Sequence, residues 1–114
     1  MLETDETTGN FVLPTPQGGE TELTREQYRY LIDDGGLTAR QLATITAAAQ
    51  ILDCVSSYEP VSLSVIVARI KEDPEAKASS TDRRALDALL AAELIAREGG
   101  GAATRYSYPG RRVR

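Results

Sequence analysis

The sequence predicts a mainly α-helical chain closed by a small β-hairpin, an α+β fold. Three features predict it. Two Thr-x-x-Gln segments, at Thr24 and Thr38, each precede a run with apolar residues at helical spacing. Two further runs at the same spacing follow, over residues 63–70 and 85–94. From about Glu93 the pattern turns to alternation on either side of Gly99-Gly100-Gly101.

Residues 1–10 are rich in Thr, Glu and Asp and are expected to lack structure. Residues 11–23 contain Pro14 and Pro16, so they read as an extended arm. Any strand there is short and at an edge, with a loose hairpin turning at Gly18-Gly19. Residues 24–34 form a first helix, capped by Thr24 and Gln27, stapled by Leu23 and Tyr28, and stopped at Gly35-Gly36. Thr38 and Gln41 are expected to open a long helix over 39–57, with Leu37 and Leu42 as its staple. Leu42, Ile45, Ala49, Leu52 and Val55 form its apolar face, widened by Ile51 and Tyr58, and Pro60 ends it. Leu63, Ile66, Val67 and Ile70 define a third helix with Ser62 as cap, despite the β-branched content. Ser79-Ser80-Thr81-Asp82 leads a fourth helix carrying Ala85, Leu86, Leu89 and Leu90. Strands are expected at 94–98 and 104–108, joined through the glycines.

Composition narrows the function classes. The chain has 114 residues, 41% apolar and 26% charged, which suits one globular domain. It has no histidine, which removes the commonest metal ligand and the commonest general base together. No Cys/His cluster exists, and the single cysteine, Cys54, reads as a small core residue. The glycine run lacks the following helix that a nucleotide loop needs. No enzyme, metal, cofactor or small-molecule ligand is therefore expected. No apolar run is long enough to cross a bilayer and the N-terminus is acidic, so the cytoplasm is the expected location.

The net charge of −4 hides a polarity. Residues 1–36 hold eight acids against Arg25 and Arg29, whereas residues 77–114 hold eight bases against four acids. A phosphate backbone responds to the local field, so the C-terminal third is the candidate contact region. Ser79, Ser80 and Thr81 can offer hydroxyls at a helix start, with backbone donors beside them. Arg83 and Arg84 follow within a turn, and arginine can bond guanine bidentately in the major groove. Asp87 lies in the same patch. Arg97 and Arg105 flank the glycine tip, and Arg111 and Arg112 extend the track in a basic tail, 111–114.

The stretch 38–108 resembles the winged helix-turn-helix domain of bacterial and archaeal transcription regulators. The likeness rests on the Ser/Thr-led helix with Leu89-Leu90, the strand Leu94-Ile95-Ala96-Arg97, the glycine tip and Thr104-Arg105-Tyr106. Ala92-Glu93 stand where the family usually has a small residue and Gly, and the loop around Pro74 is longer than the usual turn. The resemblance implies a domain over 24–110, with an extra helix at 24–34 and an acidic arm at 1–23. It implies a sequence-specific regulator, a repressor, that binds double-stranded DNA through Ser79, Ser80, Thr81, Arg83, Arg84, Asp87, Arg97, Arg105, Arg111 and Arg112. A homodimer through residues 11–34 and 39–57 would match two half-sites. The alternative is a winged-helix module that binds protein, in a larger complex or as a phage- or plasmid-type accessory protein. On that reading Arg83 and Arg84 form a solvated face paired with Asp87.

Overall fold

Four helices and two small antiparallel sheets build an α+β fold, and the computed structural model describes residues 3–58 and 60–108 of it. The chain begins as a three-stranded meander of β1 (Glu3–Thr4), β2 (Phe11–Pro14) and β3 (Glu20–Leu23). The stretch expected to lack structure therefore contributes a strand. Asp5 holds the turn after it, its carbonyl accepting from the Gly9 N–H at 2.7 Å and its carboxylate from the Thr7 N–H at 2.8 Å. The β2–β3 hairpin turns at the expected glycines. Pro14 pairs with Glu20 beyond Phe11 and Val12, the two residues that β1 covers, so its missing N–H interrupts no ladder.

This sheet does not trail away as an arm. Leu13 and Leu23 point to one side of it and are buried in the main core. The radius of gyration is 13.2 Å, close to the ~13 Å expected of one compact body of this length.

Helix α1 (Arg25–Asp33) starts with the expected capping box: the Gln27 N–H donates to Thr24 Oγ1 and the Thr24 N–H to Gln27 Oε1, both at 3.0 Å. Gly35 and Gly36 divide the work of stopping it. Gly36 takes the left-handed conformation, whereas Gly35 permits a close approach: a Cβ there would lie 2.6 Å from the Leu31 carbonyl and 2.9 Å from that of Ala88.

Helix α2 (Leu42–Tyr58) begins three residues later than the sequence predicts. Gln41 Oε1 does accept from the Thr38 N–H at 2.8 Å, but the Gln41 N–H goes to the Thr38 carbonyl at 3.0 Å. That bond closes a turn, and the helical bonds start with Ile45 donating to Gln41. The delayed start turns Leu42 outward, so it is 42% exposed instead of stapling the helix. Tyr58, expected on the apolar face, is 52% exposed, and the Arg69 guanidinium stacks on its ring at 3.9 Å. The rest of the face holds: Ile45, Ala49, Ile51, Leu52 and Val55 are buried, and so is Cys54.

Helix α3 (Leu63–Lys71) is a helix as its spacing requires, with Ser62 as N-cap. It ends in a Schellman turn, Glu72 adopting φ 54° while the Asp73 N–H reaches back to the Ala68 carbonyl at 3.0 Å. Helix α4 (Ser80–Ala91) ends the same way, with Glu93 at φ 58° and the Leu94 N–H on the Leu89 carbonyl at 3.0 Å. Leu94 and Ile95 belong to this exit and are buried, so the ribbon is shorter than expected: β4 (Ala96–Glu98) pairs with β5 (Arg105–Ser107). Among the described residues no helix is long and apolar enough to cross a membrane.

Candidate nucleic-acid interface

The fourth helix and the ribbon are joined to the rest of the fold by contacts the sequence did not signal. Val61, between α2 and α3, pairs with Tyr106 of β5 through reciprocal backbone bonds of 3.0 and 2.8 Å. The ribbon is thus fixed to the head of α3 as well as to the end of α4. Tyr106 is buried against the core.

The start of α4 is built from Ser79 and Asp82. Ser79 Oγ accepts from the Asp82 N–H at 3.1 Å, and Asp82 Oδ2 accepts from the Ser79 N–H at 2.9 Å. The same Asp82 oxygen lies 2.9 Å from Lys71 Nζ, at the end of α3, and Lys71 also donates to the Lys77 carbonyl at 3.1 Å. Burial pushes the Asp82 carboxyl up, but the hydrogen bonds from Lys71 and Ser79 and the lysine charge outweigh it, so the group titrates below the usual aspartate range. Asp82 is therefore committed to the helix cap and to the α3–α4 link. The long loop around Pro74 is closed by Lys71 and by Asp73, whose carboxylate accepts from the Glu75 N–H at 2.9 Å. Neither Lys71 nor Val61 carries a local sequence signal, because each acts on a residue outside its own element.

Ser80 is exposed and Thr81 half-buried on the first turn. Arg83, Arg84 and Asp87 are exposed, and none of their side chains forms a hydrogen bond or ion pair among the described residues. The Arg83–Asp87 pairing that helical spacing allows is not made.

The ribbon separates its two arginines. Residues directly opposite in an antiparallel pair share a face. Arg97 lies opposite Tyr106, and Arg105 lies opposite Glu98, so the two arginines leave opposite faces. Arg105 also donates from Nη1 to the Thr104 carbonyl at 3.0 Å. The tip is a single 3-10 turn, Gly101–Ala103, and Gly99 is required before it: its φ is 76° and a Cβ would meet the Ala103 carbonyl at 2.6 Å. Arg111 and Arg112 lie outside the described residues. No cluster of His, Cys, Asp or Glu that could hold a metal occurs among those described.

Cys54 is buried on α2. Burial raises its thiol pKa, Arg69 lowers it and Asp53 raises it, the net direction being upward. Comparison with protein-family models, curated proteins and solved structures finds no match to the chain.

Proposed function

We propose that the chain is a winged helix-turn-helix regulator of transcription, a repressor that binds double-stranded DNA as a homodimer. The observation that carries this reading is the pair Arg83 and Arg84: exposed near the start of a twelve-residue helix and without internal partners among the described residues. Arginines held this way cost nothing to redirect to phosphates or guanine edges. Two further features support the reading. The order α2, α3, α4 and ribbon is that of the resembled domain, and the Val61–Tyr106 bridge ties the ribbon to the helices as a wing must be tied. Glu93 adopts a left-handed backbone at the position where those regulators usually carry glycine.

In this reading α4 enters the major groove, with Ser80, Thr81, Arg83 and Arg84 nearest the DNA. Ser79 caps the helix, and Asp87 accepts from cytosine or repels phosphate. Arg105 and Arg97 reach the backbone from different sides of the ribbon, so one register of docking engages one of them. Arg111 and Arg112 extend the contact along the duplex. A homodimer through residues 11–34 and 39–57 would match two half-sites. Selection of bound fragments from random DNA, at two salt concentrations, tests the proposal. An enriched inverted motif is expected. Arg83→Ala and Arg84→Ala should abolish specific binding with helicity intact. Arg105→Ala should weaken all sequences and lower the salt slope by about one. Wild-type affinity in the Arg83 and Arg84 variants would refute the site.

A second reading, a winged-helix module for a protein partner, is favoured by the opposed faces of Arg97 and Arg105 and by Asp87 and Glu98 between the bases. It is the better one if no DNA sequence is enriched at either salt concentration.

A further inference from the structure

A groove of 1010 Å³ runs between the β2–β3 hairpin and the helices. Val12 and Pro14 line it from the hairpin, Leu42 and Ala47 from α2, and Ile70 from the end of α3. Its volume is at the upper end of the range for small-molecule sites, about 300–1,000 Å³, and its wall has their character, mainly apolar with a few polar groups. Leu42, the outward-facing leucine of the core helix, stands in this wall.

A second observation points to an occupant. Thr46 also lines the groove and is only 7% exposed, and its hydroxyl has no hydrogen-bond partner among the described residues. A hydroxyl that faces the groove is met by water, and an occupant that displaces that water must replace its hydrogen bond. Among the fully buried side-chain polar atoms none lacks a partner, so this oxygen still has surface open to the groove.

Charge selects the class of occupant. Lys71 at one end is spent on Asp82, and Glu20 at the hairpin end has no compensating base among the lining residues. The rim therefore carries one net negative charge and disfavours anions. We propose that this groove binds an uncharged, mainly apolar small molecule that presents an N–H, O–H or carbonyl to Thr46. The site does not depend on whether the chain meets DNA.

The probe is N-phenyl-1-naphthylamine, a neutral aromatic with one N–H, set against its sulfonated relative 8-anilinonaphthalene-1-sulfonate on the full chain. Saturable one-to-one fluorescence enhancement is expected with the neutral dye, and binding at least tenfold weaker with the sulfonate. Thr46→Val should weaken the neutral dye about threefold to tenfold, the range a single hydrogen bond supplies. Ala43→Trp, at an exposed position on the groove wall, should abolish binding with an unchanged circular dichroism spectrum. Leu42→Gln, also exposed, should weaken binding and serves where the tryptophan perturbs folding. Equal binding of both dyes, or wild-type binding in a folded Ala43→Trp or in Leu42→Gln, would overturn the proposal. So would sedimentation showing a wild-type dimer that binds no dye and that Leu42→Gln dissociates, since a second copy would then fill the groove.

Discussion

Replacing Glu93 by glycine should leave the protein more stable than replacing it by alanine. Glu93 follows α4 with φ 58°, where an L-residue sets its Cβ against the neighbouring carbonyl. That conformation costs a residue with a Cβ roughly 1–2 kcal/mol. Glycine escapes the cost but brings a freer unfolded chain, which returns about 0.4–1 kcal/mol. The glycine variant should thus exceed the alanine variant by a net ~0.8 kcal/mol. Alanine is the correct reference because it keeps the Cβ while removing every contact of the glutamate carboxylate. Unfolding entropy for 114 residues is about 0.24 kcal/mol/K, so the expected gap in Tm is ~3 °C. Thermal melts followed at 222 nm, with all three proteins at one concentration, measure it. A glycine variant melting at or below the alanine variant would refute the left-handed exit from α4, and with it the direction in which the ribbon leaves that helix.

Gly35→Ala should lower stability by about 1–3 kcal/mol in urea unfolding, because the new methyl group would press on the backbone of both Leu31 and Ala88. Unchanged stability would mean that α1 does not approach α4 so closely. Asp82→Asn should cost about 1–2 kcal/mol near neutral pH through the lost pairing with Lys71. Because the folded-state pKa of Asp82 is depressed, its contribution is complete above the unfolded-state pKa and is lost as pH falls through the folded one. The variant should therefore show a flatter loss of stability on acidification below the usual aspartate range, as read from melts in an acid pH series. An acid limb identical to wild type would remove Asp82 from the α3–α4 link.

Features carried by neighbouring residues were legible in the sequence. The Thr24–Gln27 box, the helix over 63–71, the Ser79 cap and the glycine-tipped ribbon all follow from interactions spanning a few positions. Thr38 and Gln41 mark the limit of such signals. Half of the box forms, but the backbone of Thr38 competes for the Gln41 N–H, so the helix starts late and Leu42 changes sides. In residues 11–23 the local signal and the packing diverge for a different reason. Pro14 and Pro16 argued for an arm, while Leu13 and Leu23, too few to show a period, carry the packing that makes the segment part of the core. At the candidate interface, residue types were readable but orientation was not. Arg97 and Arg105 look symmetric about the glycines, and only the register of β4 on β5 reveals that they diverge. Likewise the Lys71–Asp82 link and the groove are made by segments that meet only in three dimensions.

Helix α2 packs against β3, α3, α4 and β5, and most of its length is buried. A rod held along its buried face by four pieces of its own chain at once has no neighbour it can release singly. Its amides should be the last to exchange with solvent, through whole-molecule opening alone. Such a centre makes any signal arriving at the N-terminal meander a matter of the entire fold, since the rod joins that meander to the ribbon at the other end.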